Sequence, residues 1–133
     1  PEIISEILKV KSQMDSGMFK PLQVAAVEAL SQGPEWFAEL NAEYARRRVL
    51  AGDIFDMLGA EYDHDSTGMF LWGRVGQAGA QVSDKLLYEA GVFITPGFIF
   101  GKNGDNYIRI SLCSKQEVLK RAAEKIKAVI RKD

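Results

Sequence analysis

A chain of 133 residues with 47% apolar and 26% charged content has the size and composition of one soluble globular domain, long enough to bury a real core. Its net charge of -1 gives no reason to invoke nucleic acid or an acidic membrane surface, and no apolar run approaches the roughly 20 residues of a membrane span. The one cysteine, Cys113, excludes an internal disulfide, fits a reducing, cytoplasmic setting and reads as a buried thiol.

The first residues, PEIISEILKVK, lack the basic start and long apolar stretch of a secretion signal. From Pro1 the chain is already in helical pattern, with Ile3, Ile4, Ile7, Leu8 and Val10 nearly filling one stripe, as in a chain cut from a longer protein. This helix fades in DSGMFKP, where Gly17 suits a turn and Pro21 the first position of a second helix, PLQVAAVEAL. Gly33 and Pro34 open a third helix. Trp36, Leu40, Tyr44, Ala51, Phe55 and Leu58 recur along it every three or four residues or multiples of that, and Gly59 stands where a helix stop belongs. At 1.5 Å per residue this helix is about 37 Å long, more a spine joining two lobes than a member of a bundle.

After residue 60 the period becomes extended. Strands are expected at Met69 to Val75, Gly91 to Thr95 and Asn106 to Cys113. Between the first two, VSDKLLYEAG reads as a short helix with Ser83 at its N-cap, Val82 and Leu87 as a hydrophobic staple, and Gly91 closing it. Ser114 and Glu117 have the spacing of a capping box for a final helix carrying Val118, Leu119, Ala122, Ile126, Val129 and Ile130 on one face. The expected architecture is α+β: helices first, then a small sheet with helices packed on it in two layers.

One residue stands out. In NYIRISLC alternation puts Ile108, Ile110 and Leu112 on one face and Tyr107, Arg109, Ser111 and Cys113 on the other. Arg109 then lies either on the solvent side of a one-sided sheet, where it needs no explanation, or in a ligand site. A guanidinium matches a carboxylate through a planar fork of donors, and a strand fixes that fork better than a loop. The preceding segment favours a site. Pro96 and Gly97 suit the middle of a type II turn, and Phe98, Phe100, Gly101 and Gly104 make an aromatic, glycine-punctuated loop that returns the chain just before Arg109.

The run GVFITPGFIFGKNGDNYIRISLC resembles the closing motif of class I/II aminotransferases, pyridoxal-phosphate enzymes of fold type I. The order of the rest agrees. KVKSQMDSGMFKPLQVAAVEAL resembles the segment after the cofactor-binding region, EYARRRVLAGDIFDMLG the long inter-domain helix, and STGMFLWGRV the first strand of the small domain. The resemblance implies that Arg109 grips the α-carboxylate of an amino-acid substrate, and that the parent is a homodimer moving an amino group from an amino acid to a 2-oxo acid. Phe98, where many relatives have a small residue, is then a possible pocket wall. It also implies that the Schiff-base lysine and the other main ligands of pyridoxal phosphate belong to a large domain outside this chain. Catalytic, cofactor-binding and metal residues are thus not assigned here, and the fragment should be inactive alone. Residues 1–33 are expected to pack on that large domain, and 34–133 to form the small domain with its connecting helix.

Other features are weaker. Lys9 and Lys11 sit in an exposed helical pattern with nothing to lower an amine pKa. Asp15, Ser16 and Gly17 are explained by a turn. His64, among Glu61, Asp63 and Asp65, has no second histidine beside it for a metal. Arg46, Arg47 and Arg48 point in three directions around a helix and read as solvated. From Ser114 to Asp133 there are seven basic and three acidic residues, without the aromatic interleaving of an RNA-binding surface. A reading of different class, an independent α+β module binding a small carboxylate or a protein partner through Arg109, stays open. The sequence upstream of Pro1 would discriminate.

Overall fold

The computed structural model describes residues 2–15 and 17–131. Pro1, Ser16, Lys132 and Asp133, on which some of the expectations about the two ends and the first turn fall, lie outside the described residues. The chain divides between Ala38 and Glu39 into two compact units.

The first unit holds helix α1 (Glu2–Met14), helix α2 (Lys20–Leu30) and the start of α3 (Pro34–Met57). Gly17 takes the left-handed conformation (φ 77) in the first turn, a proline sits in the first turn of α2, and Trp36 N–H bonds to Gly33 O at 3.2 Å as α3 begins. Neither α1 nor α2 has a buried residue.

The second unit has a core. The rest of α3 ends at Met57, and Gly59 (φ 64) terminates it. Strands β1 (Glu61–Tyr62), β2 (Phe70–Arg74), β3 (Thr95–Pro96) and β4 (Tyr107–Ser111) form an antiparallel sheet in the order β1-β2-β4-β3. Helix α4 (Gly79–Lys85) runs into a π-helical turn (Leu86–Ala90), and α5 (Gln116–Ile130) closes the chain. The fold is α+β. One face of the sheet supplies Leu71, Ile108, Ile110 and Leu112 to a core completed by Ile54 and Phe55 of α3, Val82 and Leu86, and Leu119 and Ile126 of α5. Each such fully buried side chain is worth about 1.5–3 kcal/mol. The other face carries Phe70, Trp72, Tyr107 and Arg109, none of them buried.

Several local expectations are corrected. Helix α4 starts at Gly79 with Ala78 in the N-cap position, so Ser83 is an interior residue and Val82 and Leu87 form no staple across a helix start. Ser83 is 2% exposed, and its Oγ donates to Ile94 O at 2.6 Å. The strand expected from Gly91 shrinks to two residues because its first backbone groups are spent on ending the helix. Gly91 is left-handed (φ 60), and Val92 N–H reaches back to Leu86 O at 3.1 Å. Pro96 is extended within β3, and Gly97, without a positive φ, opens a 3-10 turn rather than a type II turn. Lys115 is the N-cap of α5 and no side chain caps it, so Ser114 and Glu117 form no capping box. Cys113 is exposed, not buried. Arg47 and Arg48 are not merely solvated: Arg47 donates to Glu43 and to Leu112 O, and Arg48 to Ser66 Oγ and Gly68 O. Strand β1 has no counterpart among the expected strands. At two residues it carries no period of its own.

Candidate functional site

Arg109 occupies the best-held stretch of β4. On one side it pairs with Trp72 of β2, on the other with Thr95 of β3, and within β4 it and Ile108 have partner strands on both sides. Ladder pairing on both flanks fixes the direction in which the side chain leaves the backbone.

The end of the strand is tied as well. Leu112 N–H bonds to Met69 O at 2.8 Å, while Arg47 Nη1 donates to Leu112 O at 3.0 Å. Arg47 Nε in turn donates to Glu43 Oε1 at 2.8 Å, and Arg46 and Gln116 donate to Glu43 Oε2, each at 3.0 Å. The hydrogen bonds from Arg47 and then Arg46 hold the Glu43 carboxyl below its ordinary pKa of 4.5 despite some desolvation. One carboxylate thus joins α3, the strand end and the start of α5.

The guanidinium itself is flanked by two aromatic rings. Its central carbon lies 4.2 Å from the ring centroid of Phe70 and 4.4 Å from that of Phe100. Phe70 comes from β2. Phe100 closes a 3-10 turn (Gly97–Phe100), and its ring meets Trp72 edge-on at 5.5 Å, Trp72 being stacked on Tyr107 at 5.4 Å. Among the described residues no ion pair or hydrogen bond engages the Arg109 side chain, and its Nε is buried without a partner. A buried donor left unmatched costs about 1–3 kcal/mol, so the group is poised to gain from an acceptor.

Phe98 lies on the same 3-10 turn, 50% exposed, and is not one of the two rings laid on the guanidinium. Phe100 belongs to the aromatic loop that the sequence already places just before Arg109, whereas nothing in the sequence pattern connects Phe70 with it. Alternation puts Phe70 on the outward face of its strand, but only the register, Phe70 opposite Ser111, brings it to the arginine. Beside Arg109, where residues 91–94 part from β4, a cleft of about 330 Å³ opens. Thr95, Ser111, Arg121 and Lys125 line it together with Arg109, over a floor that includes Ile54 and Leu119.

The remaining polar candidates have surroundings of their own. Lys9 pairs with Glu6 at 2.6 Å and Lys11 with Asp15, all on well-exposed side chains, so neither has the apolar surroundings that a Schiff-base lysine requires. These lysines do not fit a covalent cofactor. His64 is exposed, with its ring 4.3 Å from that of Tyr62, and Asp63 accepts the backbone N–H of Asp65 at 2.9 Å. Among the described residues no cluster of three metal-ligating side chains occurs, and no helix is long and apolar enough to cross a membrane.

Comparison with known proteins shows the family to which the chain belongs. The profile of the family described as aminotransferase class I and II matches residues 1–126. The LL-diaminopimelate aminotransferase of Natranaerobius thermophilus is 37% identical over 125 residues, covering 92% of this chain and 32% of its own. Among solved structures, apo BacF of Bacillus subtilis superposes with a TM-score of 0.78 at 33% identity, covering 97% of this chain and 36% of that one. A Methanococcus jannaschii protein described as similar in its active site to kynurenine aminotransferases superposes with a TM-score of 0.82 at 32% identity, covering 98% and 36%. The chain spans about a third of the length of the relatives it matches. With its profile matched almost from end to end, the chain belongs to the class I and II aminotransferases.

Proposed function

We propose that this chain is the C-terminal part of a pyridoxal-phosphate-dependent aminotransferase that moves an amino group from an amino acid to a 2-oxo acid, with Arg109 as the residue that holds the substrate α-carboxylate. The observation that carries this reading is the guanidinium of Arg109, fixed on a doubly paired strand, flanked by two rings, with a buried Nε that no acceptor matches. Strand and rings aim a planar cation outward, and a carboxylate is the planar, two-pronged anion that completes it. Phe98, half-exposed on the turn beside Phe100, borders the approach and narrows it. Pyridoxal phosphate, held by parts of the parent outside this chain, supplies the chemistry of amino transfer; the residues here orient the substrate and exclude water around its carboxylate. Family membership supports this reading, as does a first unit with no buried helix residue in α1 or α2, which suits helices 1–33 docking on a large domain and a parent that is a homodimer. Alone, the chain does not transaminate.

The test is made in the full-length enzyme. Arg109→Ala strips a partly dehydrated carboxylate of its partner, which costs about 2–5 kcal/mol, a loss of roughly thirty-fold to several thousand-fold in kcat/KM. Arg109→Lys keeps the charge without the fork and recovers a fraction of that. An amine lacking the α-carboxylate gains nothing from Arg109, so its slow half-reaction stays unchanged in both variants, as does cofactor affinity. Equal losses for amino acids and decarboxylated amines would assign Arg109 to the fold instead.

A further inference from the structure

Three features of the second unit are not explained by the substrate arginine alone: the rings on Arg109, the aromatic contacts behind one of those rings, and the tight loop that carries it. A guanidinium makes its hydrogen bonds in its own plane and none through its faces. Rings laid against it therefore remove water without removing any donor from use. They also fix the plane of the fork, so that less freedom is lost when a carboxylate binds.

The two rings have different origins. Phe70 sits on β2, on the strand paired with Arg109's own, one alternation from Trp72, which lies directly opposite Arg109. Phe100 sits on a loop and is held from behind, since Trp72 meets it edge-on and Trp72 is itself stacked on Tyr107. The loop has little room to shift. Gly97 and Gly104 press together so closely that a Cβ on either would stand within 2.3 Å of the other's carbonyl oxygen.

We propose that Phe70 and Phe100 are positioning residues for Arg109, a two-ring clamp that sets the plane of its guanidinium for the substrate carboxylate, with Trp72 and Tyr107 holding the Phe100 ring in place. The inference rests on the reading of Arg109 as the carboxylate arginine. It assigns the discrimination between arginine and lysine at this position to the clamp: an ammonium has no plane to set, and so draws little from two flanking rings beyond attraction to their faces.

The experiment is steady-state kinetics on the full-length enzyme with Phe70→Leu, Phe100→Leu, Phe100→Tyr and Arg109→Ala, using an amino acid and the matching amine without its α-carboxylate. A cation flanked by desolvated rings loses about 3- to 30-fold in binding when one ring is removed. Each leucine variant is therefore expected to raise KM for the amino acid by that factor, with kcat changed far less and the amine unaffected. Phe100→Tyr, which keeps the ring, recovers most of the loss. In the Arg109→Ala background, Phe100→Leu costs nothing further for the amino acid, because the group it positions is gone. Leucine variants that leave KM unchanged, while Arg109→Ala still separates amino acids from amines, would overturn the clamp and leave the carboxylate reading standing. Leucine losses equal for amino acid and amine would make the rings structural and overturn the clamp equally. If Arg109→Ala itself fails to separate the two substrates, the carboxylate reading falls and takes the clamp with it.

Discussion

The loop that carries Phe100 depends on two residues having no side chain. A Cβ on Gly97 would stand 2.3 Å from Gly104 O and 2.8 Å from the Cβ of Tyr107, both rigidly placed, and one on Gly104 would stand 2.2 Å from Gly97 O. Neither has a positive φ, so space rather than backbone conformation demands glycine here. Gly97→Ala is expected to destabilise the second unit by at least about 1–3 kcal/mol, the usual cost of overpacking a site that cannot yield. Gly76 has no positive φ, and a Cβ there would meet nothing within 4 Å. It is the control, and Gly76→Ala should stay within about 0.5 kcal/mol. Urea midpoints of the two variants check this. Equal midpoints would mean that the 97–104 loop opens at little cost.

At the scale of elements, the tie between α3, the end of β4 and the start of α5 runs through one carboxylate, and this gives it a pH dependence of known sign. The Glu43 carboxyl has a folded pKa below its ordinary value of 4.5. Its contribution to stability is therefore fully present above pH 4.5 and lost as the pH falls through the lowered folded value. Glu43→Gln should thus be less stable than the parent sequence near neutrality, with the gap between their urea midpoints closing as the pH drops below 4.5. A gap that stays constant down to pH 3 would show that the carboxylate's charge plays no part. This tie was not legible in the sequence. Arg47 appears there only as the middle of three arginines, and its acceptor, Leu112 O, lies 65 residues away. What was legible followed from local period. Ile108, Ile110 and Leu112 alternate and are buried, Arg109 faces the other way, and Leu119, Ile126 and Val129 repeat along α5 and are buried. Where two elements compete for the same backbone, the pattern misled. Gly91 closes the helix as its pattern suggests, but Val92, which looks like strand, spends its N–H on that helix end, and Ser83 looks like a cap but serves Ile94. The arginine of the site is legible from its strand and Phe100 from the loop before it, whereas Phe70 reaches the arginine only through the pairing register.

For the whole molecule the contrast between the two units decides what the isolated chain does. The second unit has a continuous core reaching from Ala51 to Ile126, so the amides of β2 and β4 should exchange only through opening of that unit as a whole. In the first unit Ile3 is 77% exposed and Leu30 83%, and Ile7, Val10 and Met14 form an uncovered stripe along α1. Isolated helices of 13 and 11 residues are marginal in water, because nucleation is costly and most helical stability in proteins comes from packing an apolar face. Apolar patches beyond a few hundred Å² mark surfaces that another surface covers. The purified chain at micromolar dilution is therefore expected to exchange its α1 and α2 amides orders of magnitude faster than those of β4. Raising the concentration should protect the same amides in step with a rise in mass by sedimentation, as copies cover one another's stripes. Replacing Ile7 and Val10 by lysine should abolish the concentration dependence while leaving the thermal midpoint of the second unit unchanged. A monodisperse monomer at every concentration, with residues 2–30 as slow to exchange as β4, would mean that α1 and α2 find their cover within the chain itself. The proposal that they dock on a separate large domain would then have to be abandoned.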